Sequence, residues 1–161
     1  MKKRLWAPWR MEYINSIGGK GCIFCRKLKE KDRKAYIVNR RKSCFSMLNI
    51  YPYNNGHLLV VPRRHVRRLD LLTKRELNDI IQLVSDSQKL IQDRLKPGGF
   101  NIGLNTGRIA GAGIEGHLHF HIVPRWEGDT NFMPVTGGTK VISQALEDTY
   151  RLLKGKFAGR R

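Results

Sequence analysis

Acidic side chains are scarce in this chain. Thirteen Asp and Glu stand against 31 Lys and Arg, leaving a formal charge of +18 over 161 residues. Such a field attracts polyanions, nucleotides and nucleic acids alike. Nucleic-acid motifs are missing, however: the basic residues are spread through nearly every segment, without a helix-turn-helix, zinc-finger or RNA-binding pattern. Salt-sensitive adsorption is therefore expected in place of specific nucleic-acid recognition. Long apolar runs are missing too, since no stretch approaches the roughly 18–20 residues of a membrane span. The basic start Met1-Lys2-Lys3-Arg4 runs into Trp6-Ala7-Pro8-Trp9, not into an apolar signal region. A cytoplasmic protein with no membrane partner is expected, and the length suits a single domain over 1–161.

What the chain does have is a row of histidines. In HLHFHIVPRW, His117, His119 and His121 alternate with Leu118, Phe120 and Ile122. A β-strand turns successive side chains to opposite faces, so the imidazoles share one face and the hydrophobes the other. At the usual strand rise, neighbouring imidazoles would stand roughly 6.5–7 Å apart, which favours a row of groups along an extended polyphosphate over chelation of one ion by all three. A single buried histidine is usually a structural one. Three on one face point to chemistry.

Strands are expected at 36–39, 44–50 and 57–62, punctuated by the turn Pro52-Tyr53-Asn54-Asn55-Gly56, with two more at 100–105 and 117–124. Thr73-Lys74-Arg75-Glu76 has capping-box spacing, and Leu77, Ile80, Ile81, Val84, Gln88, Ile91 and Leu95 recur near a 3.6 period until Pro97-Gly98-Gly99. A second helix is expected over 139–154, within a C-terminal helical segment 139–157, and residues 1–20 read as an extended arm. Strands grouped around a long helix make the fold class α+β. The loop Thr106–Gly116 is glycine-rich and reads either as a plain connection or as a nest of N–H groups for phosphate. Cys22 and Cys25 have the spacing of half a tetrahedral zinc site, with a redox pair as the alternative, although no thioredoxin-like βαβ pattern surrounds them. Cys44 reads as a buried thiol.

The pattern His-φ-His-φ-His-φ-φ, with φ apolar, resembles the signature of the histidine triad (HIT) superfamily of nucleotide hydrolases and transferases. NNGHLLVVPRRH at 54–65 and CIFC at 22–25 resemble further segments of that family. LWAPWRMEYI, SMLNIYPYNNGH and PRWEGDTNFMPVTGGTKVI look like its branch acting on dinucleoside polyphosphates, which includes bacterial diadenosine tetraphosphate phosphorylases and Fhit-like hydrolases. The resemblance implies an antiparallel sheet with one long helix packed on it, a C-terminal helix, and pairing of two chains across a two-fold axis.

It also implies roles. His119 matches the nucleophile that forms a nucleotidyl-histidine intermediate, and His121 the group that hydrogen-bonds the phosphate or leaving group. His57 matches another histidine near the site, and His117 the first of the triad. Asn49 would meet the ribose with Leu48 and Ile50 beside the base, while Asn105, Ala112 and Gly113 would lie by the phosphates. Many members carry Gln or Ser where this chain has Gly113, which offers only a backbone donor. His65 and His117 match the residues that complete a Cys2His2 zinc site with Cys22 and Cys25, a structural role; no organic cofactor is expected. The implied activity is cleavage of a dinucleoside polyphosphate, with phosphate or water as acceptor. Phosphoramidate hydrolysis, another nucleotidyl transfer, or nucleotide binding with little turnover are the alternatives.

Overall fold

In the computed structural model, residues 21–129, 142 and 144–154 are described. The proposed arm at 1–20 and the run Asn131-Phe132-Met133 lie outside them. Two short helices, α1 (Ile23–Lys29) and α2 (Asp32–Ala35), lead into strands β1 (Ile37–Arg40), β2 (Cys44–Leu48) and β3 (Leu58–Pro62). Helix α3 (Lys74–Leu95) follows, then β4 (Gly99–Leu104), β5 (Phe120–Arg125) and helix α4 (Leu146–Lys154). The five strands form one antiparallel sheet in the order β1-β2-β3-β5-β4.

Every residue of β2 and β3 is buried, because both faces of these central strands are covered. On one face Val38, Leu48, Leu58, Val60, Phe120 and Ile122 pack against Ile80, Leu83, Val84 and Ile91 of α3. On the other, Phe45, Met47, Leu59 and Val61 meet Phe24 of α1 and Ala35 of α2. The alternation of side chains along each strand sorts them between these two cores. Strand β4 closes one edge and leaves Asn101, Ile102 and Gly103 exposed.

Helix α3 has the expected limits and a complete capping box. The Thr73 hydroxyl accepts from Glu76 N–H at 3.2 Å, and the Glu76 carboxylate accepts from Thr73 N–H at 2.9 Å. Its buried stripe sits slightly around the helix from the expected one. Ser87, Leu83 and Leu90 are buried, whereas Leu77, Ile81 and Gln88 are exposed. A 3.6 period admits neighbouring stripes, and packing against the sheet chooses between them.

Helix α4 begins at Leu146, not at 139: residues 142, 144 and 145 are not helical, and 155–157 lie outside the described residues. Glu147 and Asp148 occupy its first turn, where carboxylates suit the helix dipole. Lys154 at its far end donates to Asp32 at 2.6 Å and to the carbonyls of Ile37 and Val38, fixing α4 across β1. The short helices α1 and α2 were not expected; seven and four residues give too brief a period to read.

Thr73→Ala is expected to lower unfolding free energy by about 1 kcal/mol in urea titration, the usual effect of losing an N-cap. Hydrogen bonds from Arg64 and from Thr73 hold the Glu76 carboxyl down at about 2, against an ordinary 4.5. Its stabilising contribution is thus complete above about pH 4.5 and is lost as pH falls towards 2. Across that window the melting temperature of wild type is expected to fall further than that of Glu76→Gln; parallel curves would refute the assignment.

Candidate functional site

The histidine row straddles the start of β5. The ladder begins at Phe120, not at the expected 117, and the residues before it run alongside Val66, whose carbonyl accepts from Leu118 N–H at 2.7 Å. The alternation nevertheless persists through the whole segment: Leu118, Phe120 and Ile122 enter the core beneath α3, and the three histidines face away from it. The rings of His119 and His121 are 4.9 Å apart, centroid to centroid, closer than the strand rise suggested. Strand rise fixes the spacing of backbones, and rings inclined at 58° lean together.

Main-chain groups set the protonation pattern of this cluster. A peptide N–H can only donate, so the 3.0 Å contact from Tyr53 N–H makes His57 Nδ1 an acceptor and places the proton of neutral His57 on Nε2. That Nε2–H donates to His121 Nδ1 at 2.9 Å. His121 in turn carries its proton on Nε2, which has no acceptor among the described residues. His119 has the opposite tautomer. Its Nδ1–H donates to the His117 carbonyl at 2.9 Å, leaving the Nε2 lone pair free to act as a base or nucleophile. Burial lowers the affinity of His119 and His121 for a second proton. It depresses His119, partly offset by the bond to the His117 carbonyl, and takes His121 to about 4, with nearby His119 adding to the effect. At neutral pH the site presents one unprotonated imidazole nitrogen beside one N–H donor.

Glycine at position 56 is required to build the turn that delivers His57. Its φ is +72°, and a Cβ there would come within 2.5 Å of Leu95 Cδ1. Asn54 ties the same turn to β5 by donating to the Pro124 carbonyl at 3.0 Å and to Asp129 at 2.7 Å.

A second cluster adjoins the first. The ligand atoms of Cys22, Cys25, His65 and His117 all lie within 4.8 Å of one another. His117 Nδ1 is 3.2 Å from Cys22 Sγ and 3.7 Å from Cys25 Sγ, and His65 Nδ1 is 3.5 Å from Cys25 Sγ. Sulfur and nitrogen ligands of one tetrahedral zinc ion stand about 3.6 Å apart, given usual bond lengths near 2.3 and 2.05 Å. The set therefore fits a zinc ion. His117 Nε2–H donates to the Pro62 carbonyl at 2.9 Å, which turns the Nδ1 lone pair towards the sulfurs, the outer-sphere arrangement that metal-binding histidines use. Burial holds His117 at about 4, keeping it a neutral ligand.

A cavity of about 360 Å³ opens between α1 and the end of β2. Leu48, Asn49, Ile50 and Gly113 line it, together with Ile23, Phe24 and Ile114. Phe24 links the cavity to the histidines, its ring centroid 5.1 Å from that of His119. Asn49 has its side-chain oxygen occupied by Tyr51 N–H at 2.9 Å. Asn105 and Ala112 are not on the cavity wall. Asn105 donates to the Gly111 carbonyl at 3.4 Å, and Ala112 is buried with its N–H on the Gly107 carbonyl. The glycine-rich loop thus consumes the Gly111 and Ala112 N–H groups internally, while Gly113 N–H has no acceptor among the described residues. Phe24, Ile114 and Tyr53 are not legible as site residues in the sequence, because an isolated aromatic or aliphatic residue carries no spacing signal.

The chain is similar to known proteins over most of its length. Residues 30–128 match the HIT domain model. The chain is 41% identical over 165 residues to the AP-4-A phosphorylase of Mycobacterium tuberculosis, covering 97% of this chain and 85% of that protein. It is 33% identical over 104 residues to an adenosine 5'-monophosphoramidase of Schizosaccharomyces pombe, covering 65% and 74%. Among solved structures, a histidine triad nucleotide-binding protein of Sulfolobus tokodaii superposes with a TM-score of 0.65 at 30% identity, covering 83% and 87%. With a five-stranded sheet that carries the histidine row beside an apolar cavity, and with these similarities across nearly its whole length, the chain belongs to the HIT family.

Proposed function

We propose that the protein cleaves dinucleoside polyphosphates, diadenosine tetraphosphate in particular, by nucleotidyl transfer through His119 with inorganic phosphate as acceptor. The observation that carries this reading is the pair of opposed tautomers, with a free Nε2 lone pair on His119 beside the Nε2–H of His121. The His119 lone pair attacks the α-phosphorus, a P–N bond forms, and the bond from phosphorus to the bridging oxygen breaks. Nucleoside triphosphate leaves with its new terminal oxygen hydrogen-bonded by His121 Nε2–H. An oxygen of inorganic phosphate then attacks the nucleotidyl phosphorus, the P–N bond breaks, and ADP departs with the His119 lone pair restored. The cavity between Phe24, Leu48 and Ile50 takes one nucleoside base, with Asn49 at its ribose, and Gly113 N–H meets a phosphate oxygen. His57 and His117 hold the two working histidines. Asn105 and Ala112 shape the loop that carries Gly113. The similarity to the mycobacterial phosphorylase supports phosphate as acceptor.

Cys22, Cys25, His65 and His117 hold a structural zinc ion in this reading, and tie α1 to the histidine row. A reducing cytoplasm suits the free thiols. No helix among the described residues is long and apolar enough to cross a membrane. The exposed edge of β4 gives a second copy a strand to pair with, making a homodimer across a two-fold axis.

Incubation with diadenosine tetraphosphate in oxygen-18 water, with and without inorganic phosphate, tests the activity. ADP and ATP formed only with phosphate are expected; labelled AMP and ATP without phosphate would make water the acceptor, and no cleavage would refute the reading. His119→Ala is expected to lower kcat roughly a thousandfold or more with the melting temperature retained, on the scale of losing a nucleophile. Metal analysis is expected to find one zinc per chain, and Cys25→Ser to lose it along with a drop in melting temperature. Full thermal stability after zinc removal by a chelator would count against a structural ion.

A further inference from the structure

The proposed reaction gives no part to Tyr53, yet this residue touches both members of the His57–His121 pair. Its main-chain N–H donates to His57 Nδ1 at 3.0 Å. Its ring lies nearly parallel to that of His121, the planes 10° apart and the centroids at 5.6 Å, an offset stack. The same ring meets His57 at 4.8 Å and 41°. Among the described residues the His121 ring has one hydrogen-bond partner, His57, and its Nε2 is buried without an acceptor. A ring held by one hydrogen bond keeps freedom to swing about that bond. A flat aromatic face against it removes the swing.

Tyr53 is 49% exposed, so burial does not account for where its ring sits. The turn that carries it is fixed on the β5 side by Asn54 and depends on glycine at position 56, so the ring is brought to the site by backbone geometry and not by burial.

We infer that Tyr53 is a positioning residue for the reaction above. Its main-chain N–H imposes the tautomer that passes along His57 to His121, and its ring holds His121 in the plane from which Nε2–H meets the leaving phosphate. This rests on the proposed nucleotidyl transfer for its catalytic consequence, and on the geometry alone for the state of His121.

The test pairs Tyr53→Ala, which removes the ring and keeps the main-chain N–H, with Tyr53→Phe, which keeps the stacking face. With diadenosine tetraphosphate and inorganic phosphate, the alanine variant is expected to lose about tenfold in kcat, the order an aromatic pair contributes, with KM within about twofold. The phenylalanine variant is expected to restore kcat to within about twofold of wild type. Carbon-13 relaxation spectra of the ligand-free His121 ring give an independent reading. Wild type and Tyr53→Phe should show a His121 ring about as rigid as its backbone, and Tyr53→Ala, which keeps the main-chain N–H and with it the tautomer, should show added ring motion. Tyr53→Leu, which fills similar space without a π face, replaces the alanine variant if that chain does not fold. A rise in KM at constant kcat, equal loss in the Phe and Ala variants, or an unchanged His121 spectrum in Tyr53→Ala would each overturn the inference. Failure of wild type to cleave the dinucleotide would remove the proposed reaction instead, with the spectra still deciding whether Tyr53 holds His121.

Discussion

The burial of Leu118, Phe120 and Ile122 under helix α3 is the constraint on which the rest of the site depends. Each of these side chains gains on the order of 2 kcal/mol by leaving water, and together they fix which way the segment faces. Once they are in the core, His117, His119 and His121 have to point out of the opposite face. A slip of one residue would bury three imidazoles beneath α3 and expose three hydrophobes, so the register of the site is secured by ordinary hydrophobic packing.

From that row, backbone hydrogen bonds do the finer work. His117 is engaged at three points: its Nε2–H meets the Pro62 carbonyl, its Nδ1 faces the two cysteines, and its own carbonyl receives His119 Nδ1–H. The Cys/His cluster and the His119 imidazole thereby share one residue. All five histidines of the chain are used in these two adjoining clusters, His57, His119 and His121 in one and His65 and His117 in the other. The anchors are main-chain groups of Pro62, His117 and Tyr53, which set the tautomers of the resting imidazoles.

The charge of +18 works at a different range. Some of the 31 basic side chains are locally paired, as in Arg64 with Glu76, Arg125 with Asp129 and Arg41 with Asp79 and Asp86, and these arginines serve the structure. The surplus raises the local concentration of polyanions without selecting among them. In the proposed reading, selection falls to the cavity, whose walls are mainly apolar, and to the few polar groups at its edge.

The sequence by itself determined the elements with strong local signals: the capped helix at 73–95, the central strands, and the two-sided character of HLHFHI. These follow from periodicity, which the chain carries without tertiary help. Identity and spacing also marked Cys22, Cys25, His65 and His117 through the family resemblance. Only the tertiary structure decided that the ladder starts at Phe120, that α4 starts at Leu146, and that α3 turns Leu83 and Leu90 inward in place of Ile81. Those outcomes depend on what packs against each element. The same holds for the opposed tautomers of His119 and His121 and for the stack of Tyr53, because a tautomer is set by whichever hydrogen-bond partner the fold brings to each nitrogen, and those partners lie two to 64 residues away.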